Sequence, residues 1–209
     1  MARCYSEAVS KRHPPLSQVW LVTDARNDTS LEAIMSRLPR GSGVIFRHYH
    51  LPPRERRARF DALRRVARRR NHLLVLAGQP REAATWGADG TYCAPAQAGA
   101  SGRKANRPSG TRFPPARGIL LLTAHSLREV GQASRGDAVV LSPVFATRSH
   151  PGAWPLGPIR FRLLASRSQV PVIALGGMTA RRARALGARR WAAIDGLSTT
   201  ATRGISKDS

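Results

Sequence analysis

Several small polar clusters stand directly behind apolar runs, and their residue types suit a phosphorylated ligand. Arg47 follows Val44-Ile45-Phe46, and an arginine at the end of an apolar run is better placed to meet an anion than to decorate a surface. Gly176-Gly177 closes Val172-Ile173-Ala174-Leu175 just before Thr179, a residue type that opens helices, so backbone N–H groups there are free to cradle phosphate. Thr123 and His125, then Thr147, Ser149 and His150, supply hydroxyls for orienting a substrate and imidazoles for carrying a proton. Asp195-Gly196 ends the last apolar run. His48, His50 and His150 together resemble a metal trio, but neighbouring strand residues point to opposite faces, so no metal ligands are expected.

These clusters need a scaffold that brings run ends together. Eight short apolar runs, at 19–24, 44–49, 73–78, 90–94, 119–124, 138–144, 171–177 and 191–197, read as strands. Several are continuous rather than alternating, as in strands covered by helices on one side and a packed interior on the other. Helical period links them: Leu31, Ile34, Met35 and Leu38 form one stripe behind a Thr29/Glu32 capping box, and Phe60, Leu63 and Ala67 form the next. Ser126 with Glu129 gives a second capping box, while Phe161, Leu164 and Ala165 mark a further buried face. Eight strand and helix units without a change of composition predict a single (β/α)8 TIM barrel over 19–198, whose site lies at the carboxyl ends of the strands. Residues 1–18 read as a basic extension, 95–117 as a stretch with a missing or short helix, and 199–209 as a flexible tail.

Composition limits the partners. The 209 residues carry 35 Lys or Arg against 12 Asp or Glu, a formal charge of +23, with 42% hydrophobic residues. No apolar run reaches the roughly 18 to 20 residues that cross a bilayer, and residues 1–17 lack a secretory centre, so a cytoplasmic protein with no membrane partner is expected. Cys4 and Cys93 read as free thiols. The arginine-rich helix at 54–70 predicts non-specific polyanion binding at low salt, although no stacking aromatics interleave with its arginines.

The run Leu141-Ser142-Pro143-Val144-Phe145-Ala146-Thr147-Arg148-Ser149-His150, followed by Ala153-Trp154-Pro155-Leu156-Gly157, resembles a signature loop of the thiamine phosphate synthase and TenI-like superfamily. Trp20-Leu21-Val22-Thr23-Asp24, Arg47, Gly87-Ala88-Asp89-Gly90, Ala124-His125-Ser126 and the run from Val170 to Met178 agree with that family in order and spacing. The resemblance implies a TIM barrel that couples a hydroxymethylpyrimidine diphosphate to a thiazole phosphate and releases diphosphate. It implies Arg47 on the diphosphate, Gly176, Gly177, Asp195 and Gly196 at the thiazole phosphate, and Thr147 on the substrate, where Thr123 and Ser149 are further candidates by their place at the strand ends. The family's magnesium carboxylates fall at Ala77-Gly78 and near Gln97, so magnesium is expected only through a substrate diphosphate and no other cofactor is implied. The expected function is a synthase-like enzyme. The alternatives are a TenI-like isomerase or a non-catalytic binder of a phosphorylated ligand, with His125 or His150 carrying the proton, and a basic accessory protein that uses the barrel as scaffold. A homo-oligomer is compatible with each.

Overall fold

The computed structural model describes residues 16–98, 118–149, 152 and 154–197. Eight parallel strands close a barrel in sequence order: β1 Val19–Val22, β2 Gly43–Phe46, β3 Leu73–Ala77, β4 Gly90–Cys93, β5 Ile119–Ala124, β6 Ala138–Leu141, β7 Val172–Leu175 and β8 Trp191–Ala193. The helices are α1 Leu31–Arg37, α2 Pro53–Arg69, α3 Pro80–Trp86, α4 Leu127–Ala133, α5 Gly157–Ser166 and α6 Ala180–Leu186. The (β/α)8 TIM barrel expected from the apolar runs is the observed fold. Between β4 and β5 the described residues form only a 3₁₀ turn, Pro95–Ala98; the rest of the 95–117 stretch and the tail at 199–209 lie outside the described residues.

Alternation along each strand divides the core. Trp20, Val22, Ile45, Val75, Leu121, Val140, Ile173 and Ala192 turn into the barrel, whereas Leu21, Val44, Phe46, Leu74 and Leu76 pack outward under α1 and α2. Trp20 fills the interior against Gly43, its register partner; a Cβ on Gly43 would lie 2.1 Å from the indole. The indole N–H donates to Ser17 O at 2.8 Å, so the chain just ahead of β1 already seals the barrel floor.

β5 spans the 119–124 run as expected, and the other strands are shorter at their carboxyl ends than the apolar runs suggest. β2 stops at Phe46 because His48 has φ +42, a left-handed conformation that breaks the ladder. The Thr29/Glu32 capping box does not form. The box sits earlier, where the Asp24 carboxylate accepts from Arg26 N–H and the Asn27 side chain accepts from Asp24 N–H, while Glu32 is drawn to Arg59. At α4, Ser126 Oγ accepts from Glu129 N–H as expected, but the Glu129 carboxylate reaches past it to His125 N–H at 2.6 Å. On α2, Phe60, Leu63 and Ala67 are buried, and Arg56, one turn ahead on the same stripe, is buried with them at 8% exposure.

Candidate functional site

The carboxyl ends of the strands surround a cavity of about 320 Å³, at the small end of the range for ligand pockets. Arg47, Thr123, His125, Thr147, Ser149, Gly176, Gly177, Asp195 and Gly196 all line it. His150 lies outside the described residues. The nine residues come from five strand ends, which is the gathering a barrel performs on short clusters far apart in sequence.

The wall formed by the β7 and β8 ends is mainly backbone. Gly176 and Gly177 have φ +98 and +59, and a Cβ on Gly176 would lie 2.7 Å from Pro143 Cα, so the loop after β6 and the end of β7 approach too closely for a side chain. Thr179 caps α6 by accepting from Arg182 N–H, and the Arg182 guanidinium covers the Phe145 ring at 4.8 Å. Beside this seat, Asp195 Oδ2 meets Arg26 at 3.1 Å and Arg148 at 3.9 Å. Arg26 also donates to Ser149 Oγ at 2.7 Å and pairs with Asp24 at 2.8 Å, clasping the loops that follow β1, β6 and β8. Asp195 thus turns toward the mouth, with arginine charge set against its own. Burial raises the Asp24 carboxyl pKa, but the Arg26 contacts outweigh it and hold that carboxyl below the usual range.

The opposite wall carries Arg47, Tyr49 and Tyr92. Arg47 lies 5.7 Å from the Tyr49 ring centre, and the Arg56 guanidinium lies 5.2 Å from the same ring. Arg56 donates to Arg47 O at 2.9 Å, Ala77 O at 2.7 Å and Glu82 at 3.0 Å, with Phe46 and Trp86 within cation–π range. It thereby ties the ends of β2 and β3 together. Burial pushes the Tyr92 phenol up to about 12, against the opposing charge of Arg47, so it remains a neutral hydroxyl. On the third side, His125 Nδ1–H donates to Ser142 O at 2.5 Å, which in the neutral ring leaves Nε2 as the acceptor.

Behind Arg47 lies a buried relay. Thr23 Oγ1 accepts from Arg47 N–H at 2.9 Å and meets His48 Nδ1 at 2.7 Å, while His48 Nε2 meets Asp28 Oδ1 at 2.9 Å. Burial lowers the His48 pKa more than Asp28 raises it, so the ring is kept neutral. Burial alone would raise Asp28, but hydrogen bonds from His48 and Arg59 outweigh it and hold its carboxyl low.

A hard dication such as Mg²⁺ needs carboxylate or phosphate oxygens. Among the described residues, the cavity's one lining carboxylate is Asp195, which faces arginines; β3 ends in Ala77-Gly78, and Gln97 folds back to accept from Ala94 N–H. The residues present do not fit a magnesium ion held by the protein itself. Sequence reading also missed Arg26, Arg56, Tyr92 and Asp28. The signal for Arg56 was its place one turn before Phe60 on the apolar stripe, and for Tyr92 its inward alternation two residues after Gly90. No local pattern links Arg26 to Ser149 and Asp195, or Asp28 to His48 and Arg59.

The chain has relatives in both sequence and fold. Over 63 residues the chain is 40% identical to a protein of Aquifex aeolicus (strain VF5) provisionally named thiamine-phosphate synthase 2, a match spanning 29% of this chain and 34% of that relative. The thiamine phosphate pyrophosphorylase of Pyrococcus furiosus superposes with a TM-score of 0.65 at 22% identity, covering 85% of each chain. That of Bacteroides thetaiotaomicron gives 0.53 at 15% identity, covering 92% of this chain and 90% of its own. At these identities the superpositions establish the shared barrel. The family model for thiamine monophosphate synthase and TenI matches residues 19–197, and by that match the chain belongs to the thiamine monophosphate synthase family.

Proposed function

We propose that the mouth binds a phosphorylated thiazole beside a pyrimidine diphosphate and couples them as a thiamine phosphate synthase-like transferase, without a metal held by the protein's own carboxylates. The observation that carries this reading is the division of one cavity into a cationic wall at Arg47 and a glycine-backbone wall at Gly176, Gly177 and Gly196. Two phosphorylated groups with a reacting centre between them need that division. In the coupling, the thiazole nitrogen attacks the pyrimidine methylene, and the C–N bond forms as the C–O bond to diphosphate breaks. The leaving diphosphate takes the electron pair, and Arg47 stabilises the charge that develops on it. Thr123, Thr147 and Ser149 orient the rings from the β5 and β6 ends. The coupling itself releases no proton, and the His125 ring, held through Nδ1, lines the same cavity.

A second reading is favoured by the scarcity of carboxylates at the mouth: a TenI-like protein that binds one phosphorylated thiazole and isomerises it through His125, or only holds it. Calorimetric titration with thiazole phosphate and with pyrophosphate, each with and without Mg²⁺ and at two salt concentrations, separates the two. The transferase predicts saturable binding of both ligands and formation of thiamine phosphate when the substrates are mixed. Thiazole phosphate binding alone supports the second reading, and no saturable binding of either refutes both. Arg47→Ala should weaken pyrophosphate and leave thiazole phosphate nearly unchanged; equal loss of both contradicts the division into two walls.

A further inference from the structure

We propose that Asp28, His48 and His50 form a binding site for a divalent transition-metal ion of the zinc class, open to a second cavity that borders Arg47. One ligand atom from each residue lies within 4.8 Å of the other two. The cavity has a volume of about 170 Å³ and is lined by Thr23, Asp24, Ala25, Arg47, His48, Tyr49 and His50, so an ion held by the three side chains keeps coordination positions for water or an anionic oxygen. Two imidazoles and one carboxylate are a donor set for Zn²⁺, Co²⁺ or Fe²⁺ rather than for Mg²⁺, which prefers an all-oxygen shell.

The arrangement has the support that metal ligands need. His48 is 1% exposed, stacked flat on Phe46 with ring centres 4.6 Å apart, and held at φ +42, so its ring direction is over-determined. A metal on Nε2 displaces the proton that Nε2 shares with Asp28 and requires the proton on Nδ1 instead, where Thr23 Oγ1, 2.7 Å away, is placed to accept it. Arg59 anchors Asp28 through Oδ1 at 2.7 Å and through its carbonyl at 2.7 Å. Among the described residues no hydrogen bond reaches Asp28 Oδ2, which leaves that oxygen for the ion. The Arg59 charge opposes any dication, which further selects for an ion bound by nitrogen donation over one held by charge alone. His50 is exposed, and its ring centre is 5.2 Å from that of His48. The Thr23–His48–Asp28 relay on its own would be purely structural; the exposed third donor beside a cavity is what makes it a site.

The test uses the untagged full chain. Co²⁺ titration should saturate at one equivalent with the visible absorption of a nitrogen- and oxygen-ligated ion, and Zn²⁺ should displace it. His50→Ala removes an exposed ligand without touching the core and should weaken Co²⁺ by more than about 100-fold, since loss of outer-shell partners alone costs about 10- to 100-fold. Asp28→Asn should do the same, whereas His125→Ala should leave Co²⁺ affinity unchanged. Absence of saturable binding overturns the proposal, and so does binding that survives His50→Ala or is lost with His125→Ala. A saturable Co²⁺ complex in a protein that binds neither thiazole phosphate nor pyrophosphate would refute the transferase and leave this site standing.

Discussion

Replacing Arg56 with leucine should destabilise the fold and impair the anion wall at once, because one guanidinium serves both. Its bonds to Arg47 O, part-buried, and Ala77 O, buried, are charge-assisted and worth about 1.5 kcal/mol each. The faces of Phe46, Tyr49 and Trp86 add about 1 kcal/mol together. Glu82 is 37% exposed, so solvent screening limits that pair to about 0.5 kcal/mol. Leucine returns about 1 kcal/mol of apolar burial, which leaves a net loss of about 3.5 kcal/mol. With a urea dependence of about 3 kcal/mol per molar for a chain of this size, the midpoint should fall by about 1 M. Arg47 loses the partner that fixes its carbonyl, so pyrophosphate affinity should fall at urea-free conditions where the variant is still folded. Arg47→Ala, in contrast, should lower pyrophosphate affinity and leave the urea midpoint nearly unmoved. An Arg56→Leu protein that unfolds at the wild-type midpoint would refute the placement of Arg56 as the tie between β2 and β3. A shifted midpoint with undiminished pyrophosphate binding would separate the tie from the site.

Three further outcomes are expected. Gly176→Ala combines a left-handed backbone with a Cβ 2.7 Å from Pro143 Cα and should lose stability and thiazole phosphate binding together, whereas Gly41→Ala, at φ +77 with nothing within 4 Å, should cost only about 1 to 2 kcal/mol in a urea melt and leave binding intact. Asp195→Asn removes a negative charge from the β8 side of the mouth and should tighten thiazole phosphate severalfold at low salt, while Arg26→Ala leaves that charge less compensated and should weaken it; phosphate titrations at two salt concentrations distinguish the two. Burial pushes the Cys93 thiol from 9.0 up to about 11, so alkylation followed by peptide mapping at pH 8 should run about 100-fold slower at Cys93 than at an ordinary thiol. The sign for stability follows from the same shift: the protonated thiol is favoured in the fold, and its contribution is intact below pH 9 and is lost as pH rises through 11.

The barrel was legible because its signal is repeated. Each apolar run is short, but eight of them separated by helical stripes such as Leu31, Ile34 and Met35 admit few architectures, and the topology of a parallel barrel then follows from chain order. Nine proposed site residues converge for the same reason: standing behind a strand is a position that sequence can specify. What sequence could not specify was the orientation of long side chains across the mouth. Arg26 crosses from the β1 loop to Ser149 and Asp195, contacts separated by more than a hundred residues, and Asp28 meets His48 only because φ +42 turns that residue out of its strand. The capping residues erred by local competition, since Glu32 had a guanidinium within reach and an ion pair there displaced the helix-end hydrogen bond.

Arg56 also bears on how the mouth handles charge. The carboxyl end of β3 is Ala77-Gly78, and the group that meets the Ala77 carbonyl is a guanidinium contributed by α2. Positive charge at this wall is therefore covalently part of the chain, with its desolvation offset by two carbonyls, a carboxylate and three aromatic faces. A fixed arginine and a bound metal ion both lower the energy of a departing diphosphate, but they respond differently to perturbation. Arginine charge is present at every accessible pH and cannot be removed by a chelator, whereas its attraction for an anion at an open mouth is screened by salt. Pyrophosphate binding at Arg47 should accordingly be unchanged by EDTA and decline as sodium chloride is raised. Loss of binding on chelation at constant ionic strength would place an ion, rather than arginine charge, at the centre of that wall.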